Sequence, residues 1–319
     1  MRTLKYVLKR IVMMFITAFI IMTITFCLVK MLQSEVPLGS AGIVELQRRE
    51  ALGWNKPILE QYGIYLKNIF TKFDWGTSFK VQYMADVTEV LFSRMPATIM
   101  VNVLSILVGL PFGILLGVFA ALKKNKLPDQ IISVVIVLFI SVPSFCLAFF
   151  LQYYFGYKLQ WFPLVMSSVA DAGGMYTWKM VYSLVLPILA SAFYEIAYFA
   201  RTVRAELTEA LTSDYMLLAR TKGLTQSKAV MRHALKNAMV PILPSIIGTF
   251  LSILGGSMIL ESIFAIPGVG ALTLQALNLR DYDLFVSTAM FYTLIGLAAG
   301  ILTDLSYGFL DPRIKMGER

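Results

Sequence analysis

The amino-acid sequence predicts an all-α membrane protein that crosses the lipid bilayer six times. Of its 319 residues, 58% are hydrophobic and only 15% are charged, and the mean hydropathy is +0.72. Soluble domains are typically about 45–50% apolar and about 25% charged. A soluble fold of this length has no place to bury so much apolar surface, so the composition excludes most soluble enzymes.

Six segments are long and apolar enough to form membrane-spanning helices. A spanning helix needs about 20 mostly apolar residues, because lipid offers no hydrogen-bond partner to an open backbone. Four of the segments contain no charge, one near the N-terminus is shorter but also uncharged, and one is interrupted only by Glu195. In chain order, the predicted spans are 11–29, 95–122, 130–157, 181–200, 238–260 and 284–303.

The first segment also has a feature of a secretory signal peptide, because the basic residues Arg2, Lys5, Lys9 and Arg10 precede it. Its apolar run is longer than the roughly 7–15 residues of a signal peptide, and no clear A-x-A cleavage site follows. We therefore predict an uncleaved first helix.

Basic residues are concentrated in segments that this arrangement places on one side of the membrane. They lie at the N-terminus, at Lys123, Lys124 and Lys126, in the 201–237 loop and in the C-terminal tail. Positive charge in short loops collects on the cytoplasmic side, so both termini are predicted to be cytoplasmic, and the net charge of +9 requires no nucleic-acid partner. The predicted organisation is a cytoplasmic N-terminus with the first span (1–32), an external loop subdomain (33–94), a five-span core (95–310) and a cytoplasmic tail (311–319).

The 33–94 segment is polar but rich in aromatic residues, which is unlike a disordered linker. Turn-forming stretches at 53–57 and 74–76 and a helix-like apolar spacing over 57–70 indicate a folded unit. The unit is a packed cap on the outer membrane face or a docking surface for an external partner, and the two interpretations are compatible.

The sequence offers few groups for catalysis or metal binding. Cys27 and Cys146 lie in apolar runs without CxxC spacing. The single histidine, His233, excludes a site built from several imidazoles. We therefore predict no catalytic residue and no metal site.

Pro143 lies within the third predicted span. Proline removes a helical hydrogen bond, so the span is expected to kink or break there. Such breaks are tolerated where neighbouring helices or a water-filled cavity satisfy the backbone. The break serves helix packing or the lining of a pathway, and the sequence leaves both interpretations open.

The basic 213–241 stretch begins with a predicted short helix. Ser213 and Asp214 favour a helix start before Tyr215. Lys222 followed by Gly223 favours its end, because a cation suits the last turn of a helix and glycine accepts a positive φ.

A second helix is predicted after this turn. Thr225 or Ser227 caps its start, and it continues through His233 and Asn237 into the fifth span, where Pro241 bends it. The stretch as a whole is a short helix, a glycine turn and a second helix beside the membrane.

The first of these helices has an apolar side made by Tyr215, Met216, Leu218 and Ala219. A loop that lies on anionic lipid needs only its basic charges. A helix this short is marginal in water without a partner surface. The apolar side therefore favours a protein partner over lipid.

Short motifs with a fixed order and spacing cover nearly the whole chain. The most informative are ARTKGL at 219–224 and RHALKNA at 232–238, which Pro241 follows. Together they closely resemble the EAA loop of ABC importer permeases of the oligopeptide/dipeptide/nickel branch. Other motifs that resemble this branch are LGWNKP (52–57), WGTSF (75–79), PSF (143–145), ESIF (261–264), PGVG (267–270), RDY (280–282) and DPR (311–313).

The chain departs from the general pattern of that family in two places. The Glu and first Ala of the EAA consensus fall near Leu217 and Leu218, and its late proline near Lys236, so no role is assigned to an absent Glu. The Gly-Asp-Pro that often follows the first span is replaced by SEVP at 34–37.

The resemblance implies the transmembrane domain of a type I ABC importer, which takes up oligopeptides or dipeptides. The expected partners are a second homologous permease, two cytoplasmic ABC ATPases, an external substrate-binding protein and the lipid of a bacterial or archaeal cytoplasmic membrane. The sequence has no G-x-x-x-x-G-K-[ST] phosphate loop, so the chain is not expected to be an enzyme or to bind a cofactor. ATP and Mg²⁺ are expected on the ATPases.

The resemblance also implies an ATPase-coupling loop over 206–237. Its expected coupling residues are Tyr215, Ala219, Arg220, Lys222, Gly223, Leu224, Arg232 and His233. The candidates for the pathway or its gate are Pro143, Ser144, Ser252, Ser257 and Glu261.

Three other functions are compared with peptide import. A permease of this type can import nickel or a metal chelate, although no His/Cys cluster suits a naked metal. A non-ABC channel has no need of the EAA-like loop. An intramembrane hydrolase is disfavoured, because HExxH is absent and Glu195 and Asp304 lie close to the ends of predicted spans.

Overall fold

The computed structural model describes residues 2–32 and 43–310 of the chain. These residues are mostly helical, which confirms the predicted all-α class. Their only strands form one short antiparallel pair, in which Thr77 lies opposite Asp86 and Ser78 opposite Ala85. The SEVP stretch, the DPR motif and the predicted tail lie outside the described residues.

The first part of the chain is a long apolar helix followed by a small folded unit, which we call the 43–86 unit. The unit consists of two helices and the strand pair. The bounds are α1 Arg2–Met31, α2 Ile43–Ala51, α3 Ile58–Lys72, β1 Thr77–Ser78 and β2 Ala85–Asp86.

The second part of the chain is helical throughout its regular structure. Three of its α-helices continue directly into a short π-helix or 3₁₀ segment. The bounds are α4 Val87–Leu122; α5 Leu127–Ser141; α6 Ser144–Leu151 with a π-helix Gln152–Lys158; α7 Val169–Ala172; α8 Trp178–Ser183; α9 Val185–Leu211; α10 Asp214–Thr221; α11 Gln226–Ala229 with a π-helix Val230–Ala234; α12 Leu235–Met239; α13 Leu243–Leu251 with a 3₁₀ turn Ser252–Leu254; α14 Met258–Ile263; α15 Val269–Asn278; and α16 Tyr282–Leu310.

Three described helices, α1, α4 and α16, are by themselves long and apolar enough to cross a membrane. Two more spans form only if two helices are taken together across a bend, which is 100° between α5 and α6 and 55° between α12 and α13. The predicted break at Pro143 is therefore confirmed. The described residues contain up to five spans by this criterion, so the predicted count of six is not confirmed.

Helix α9 covers most of the remaining predicted span and, with 27 residues, is long enough to cross a membrane, but it is less apolar than the other three helices. One side of this helix is enclosed by protein, and its residues Phe199, Val203 and Leu207 are at most 1% exposed. Glu195 lies well inside this helix, which continues beyond the end of the predicted span to Leu211. Polar residues such as Glu195 lower the mean hydropathy of α9. They are tolerated because protein covers one side of this helix.

Three glycines, each four residues apart, form the side of α4 that faces α9. A Cβ atom at Gly113 would lie 2.8 Å from the Cβ of Phe199. A Cβ atom at Gly117 would lie 2.7 Å from the carbonyl oxygen of Ala200, and Gly109 is equally closed in. Glycine therefore lets the two backbones approach each other closely, as small residues do in membrane helix pairs.

An aspartate just before α16 holds the 43–86 unit in place. The carboxylate of Asp281 accepts hydrogen bonds from the Ser78 hydroxyl at 2.6 Å and from the backbone N–H groups of Lys80 and Val81 at 2.9 Å. The RDY motif thus has a structural reason, and the packed-unit interpretation of the sequence is supported.

Helices α1 and α16 are joined by an ion pair near each end. Near one end, Lys30 Nζ lies 3.2 Å from Asp283 Oδ1, and both side chains are buried. Near the other end, Arg10 Nη1 lies 2.9 Å from Asp304 Oδ2. The two helices therefore run side by side between these contacts.

The glycine contact generates a stability prediction. Gly113→Leu places a side chain where α9 leaves no space, so we expect a loss of about 1–3 kcal/mol of stability. The matched control is Gly296→Leu, because a Cβ atom at Gly296 meets nothing within 4 Å. Thermal unfolding of the detergent-purified protein measures both variants, and equal midpoints would contradict the packing argument.

Candidate functional sites

The predicted helix–turn–helix stretch is present as α10, a glycine turn and α11. Gly223 has a φ of +84°, as predicted. Ser213 precedes α10 with extended backbone, but its hydroxyl donates to the carbonyl of Ala210 at 2.6 Å instead of capping the helix. Thr225 precedes α11, also with extended backbone and without a side-chain hydrogen bond that caps the helix. We keep the name coupling loop for residues 206–237, after the role predicted for them.

The apolar side predicted for α10 is divided between two faces. Met216 and Ala219 are 4% and 6% exposed and pack inward against Ala229 and Val230 of the second helix. Leu224 packs against the same cluster. The structure corrects the prediction that Met216 and Ala219 belong to the surface that meets a partner.

The opposite face of α10 is apolar and open. Leu217 is 65% exposed and Leu218 is 55% exposed, and Tyr215 is also exposed. Met231 of the adjoining π-helix is 65% exposed. The sequence did not single out Leu217 as a coupling residue. The signal that could have identified it is a leucine where the family consensus has Glu.

The remaining predicted coupling residues include three exposed cations of the same loop. Arg220, Lys222 and Arg232 are exposed, whereas His233 is half-buried. Arg232 and His233 belong to the π-helix that joins α11 to α12.

An ion pair connects the helix before the coupling loop to α5. Arg204 of α9 donates from Nη2 to Asp129 Oδ2 at 2.8 Å, and the backbone N–H of Asn125 donates to the same oxygen at 2.9 Å. Asp129 is 2% exposed. The sequence signal for this contact is an aspartate three residues after a cluster of lysines.

The predicted fifth span is broken between α13 and α14. Gly255 and Ser257 are extended, and the hydroxyl of Ser257 accepts a hydrogen bond from the Leu260 N–H at 3.3 Å. Asn102 of α4 donates from Nδ2 to the carbonyls of Ile253 and Gly255, each at 2.8 Å. One side-chain amide therefore satisfies two carbonyls that the break leaves without helical partners.

Glu261 lies behind this break and is only 4% exposed. Its carboxylate accepts from the Thr98 hydroxyl at 2.9 Å and from the Ala271 N–H at 2.8 Å. The Thr98 oxygen in turn accepts from the Val269 N–H at 2.9 Å. Glu261 thus joins α4, α14 and α15.

The other predicted pathway residues are exposed. Ser252 and Ser257 flank the break, and Pro143 and Ser144 lie at the 100° bend. Helix α6 packs against α14, since Gln152, which follows α6, donates to the carbonyl at 263 at 3.0 Å. The bend and the break therefore lie on neighbouring elements.

The hydrogen bonds of Asn102 generate a local prediction. Asn102→Leu leaves two carbonyls unpaired, and each unsatisfied buried group costs about 1–3 kcal/mol. We expect faster amide hydrogen exchange at 253–258, measured by mass spectrometry. Leu107→Ile, at an exposed position of the same helix, is the control. Unchanged exchange in the Asn102 variant would show that the break does not depend on this amide.

Comparison with known families gives one extensive match. The model of a family described as binding-protein-dependent transport system inner membrane component matches residues 113–316 of this chain.

Individual relatives match almost from end to end. The dipeptide transport system permease protein DppB of Bacillus subtilis (strain 168) is 35% identical over 319 residues, which are 99% of this chain and 99% of the relative. DppB of Lactococcus lactis subsp. cremoris (strain MG1363) is 33% identical over 98% of this chain and 99% of the relative. The glutathione transport system permease protein GsiC of Shigella flexneri serotype 5b (strain 8401) is 30% identical over 98% of this chain and 99% of the relative.

A solved structure shares the fold. The chain is similar to one in the crystal structure of an amino acid ABC transporter with histidines, with a TM-score of 0.50. The identity is 20%, and the match covers 70% of this chain and 94% of that chain.

Proposed function

The chain belongs to the family of binding-protein-dependent transport system inner membrane components, and we propose that it is a permease subunit of an ATP-driven importer of short peptides. Relatives of nearly equal length are named dipeptide and glutathione permeases, which favours a peptide over nickel or a metal chelate. The fold is that of a type I ABC importer membrane domain. In this family the membrane chain is a non-enzymatic subunit.

The observation that carries the proposed pathway is the non-helical stretch between α13 and α14. Irregular backbone at membrane depth is tolerated only where protein covers it or where it lines a water-filled cavity. Ser252 and Ser257 are exposed in the single chain, so this face does not suit lipid. We infer that it lines a pathway shared with a second, homologous permease, next to Pro143 and Ser144. Glu261 maintains the shape of this wall from behind.

Helix α10 is the proposed contact with an ATPase. Its open face offers Leu217 and Leu218 to an apolar groove, and the basic residues around it suit an acidic rim. Its inward face is attached to the second helix of the coupling loop through Met216 and Ala219. ATPase movement is thus passed to the helices on both sides of the loop, and Ala219 acts as a support rather than as a contact.

The remaining parts of the assembly follow from this role. Two ATPase subunits would bind ATP and Mg²⁺, and an external binding protein would deliver the peptide. The chain would lie in a bacterial or archaeal cytoplasmic membrane with both termini in the cytoplasm and the 43–86 unit outside.

Uptake by the reconstituted complex tests the function. Vesicles that contain both permeases and both ATPases, with the binding protein added, are expected to accumulate a radiolabelled dipeptide only when ATP is supplied. Accumulation of a nickel chelate instead of the dipeptide would support the alternative substrate. Uptake without ATP would indicate a channel.

Substitution of the open face of α10 tests the docking surface. We expect the double variant Leu217→Asp and Leu218→Asp to lose at least about 10-fold in peptide uptake, because desolvated apolar anchors dominate interfaces. Co-purification of the ATPases is expected to fall in parallel. Leu127→Asp, an equally exposed leucine outside the loop, is the control. Normal assembly and uptake by the double variant would assign docking to another surface.

Cysteine accessibility tests the proposed orientation. Ser78 is unsuitable as an external reporter because it is fully buried, whereas Lys80 is exposed. In a background without Cys27 and Cys146, Lys80→Cys is expected to react with an impermeant maleimide in intact cells. Ser227→Cys in the coupling loop is expected to react only after permeabilisation. The opposite pattern would reverse the orientation.

A further inference from the structure

Glu195 is a carboxyl group without an ionic partner inside the helical core. It lies within α9 against Gly109 of α4, where a Cβ atom would be only 2.6 Å from Glu195 Oε2. That oxygen is buried and has no hydrogen-bond partner. Among the ion pairs of the described residues, none includes Glu195.

An acidic side chain at membrane depth requires a reason. Such residues are rare, face the bundle interior or a water-filled cavity, and mark the pathways of substrates and ions. At Gly113 and Gly117 the close packing of α4 against α9 is made with Phe199, Val203 and the α9 backbone, so tight packing of this helix pair does not require a carboxyl group.

The side chains beside Glu195 are polar and open. Tyr194 is 54% exposed and Tyr198 is 38% exposed. The hydroxyl of Tyr198 lies 3.3 Å from the hydroxyl of Ser245 on α13. Helix α13 leads directly to the exposed break at Ser252, so this side of α9 adjoins the proposed pathway wall.

We propose that Glu195 binds the α-ammonium group of the peptide during its passage, an inference that rests on the proposed function. A carboxylate and an ammonium group form a charge-assisted hydrogen bond. The ammonium group would be the positively charged partner that Glu195 does not have within the chain. Every peptide with a free amino terminus carries this group. One carboxylate therefore serves peptides of different sequence.

Photocrosslinking tests this contact in the complete reconstituted complex. The probe is a dipeptide with photo-leucine as its first residue, delivered by the binding protein during ATP turnover. We expect crosslinks to the 191–198 segment of α9, identified by mass spectrometry. This measurement uses the unmodified complex and does not depend on the folding of a variant.

The variant Glu195→Gln keeps the shape and removes the charge. We expect it to assemble normally and to lower the ratio of peptide imported to ATP hydrolysed about 10-fold, with loss of the crosslink. The control is Glu89→Gln, which removes an exposed carboxylate elsewhere in the chain.

Three results would overturn the proposal. The first is an unchanged transport ratio and an unchanged crosslink in Glu195→Gln. The second is loss of the second permease from the purified variant, which would assign Glu195 to a contact between subunits. The third is crosslinking of the unmodified complex only at segments other than α9. Absence of ATP-dependent uptake by the unmodified complex is a different result, because it rejects the proposed function itself.

Discussion

The close approach of α4 to α9 is the contact on which the other features depend. Because Gly109, Gly113 and Gly117 carry no side chain, two long helices share most of their length without a gap. The far end of α9 leads into the coupling loop, and α4 carries the groups that hold the broken span. A single helix pair therefore connects the two candidate sites.

Polar side chains in the membrane part of the chain have two distinct roles. Asn102 and Glu261 are used inside the chain, where their hydrogen bonds hold non-helical backbone in one shape. Ser252 and Ser257 are turned outward. A break in a membrane-spanning helix needs side chains such as Asn102 to bind its free carbonyls, because lipid offers them no hydrogen-bond donor. The second kind is exposed at the break and is free to contact a molecule or a partner chain there.

Features set by local chemistry were predictable from the sequence. The positive φ at Gly223 and the break at Pro143 follow from the residue types themselves, and most spans follow from apolar length. The contacts of Asn102 with Ile253 and Gly255, and of Glu261 with Thr98, were not predictable, because each joins residues more than 150 positions apart in the chain. The division of α10 into two faces was missed for a different reason: the packing of the second helix of the loop decides which side is covered, and this packing cannot be read from the sequence of α10 alone. The sixth predicted span, α9, is less apolar than α1, α4 and α16, because protein encloses one side of this helix and polar residues are tolerated there.

The pairing of α1 with α16 has a mechanical consequence. Two rods that are fastened at both ends do not slide past one another, so they tilt as a single strut. The ion pairs of Arg10 and Lys30 are 20 residues apart on α1, which corresponds to about 30 Å of helix. A tilt of the 43–86 unit, which is attached through Asp281 next to α16, would therefore tilt the helix pair as one body. The displacement at the opposite end would grow with the length of the pair.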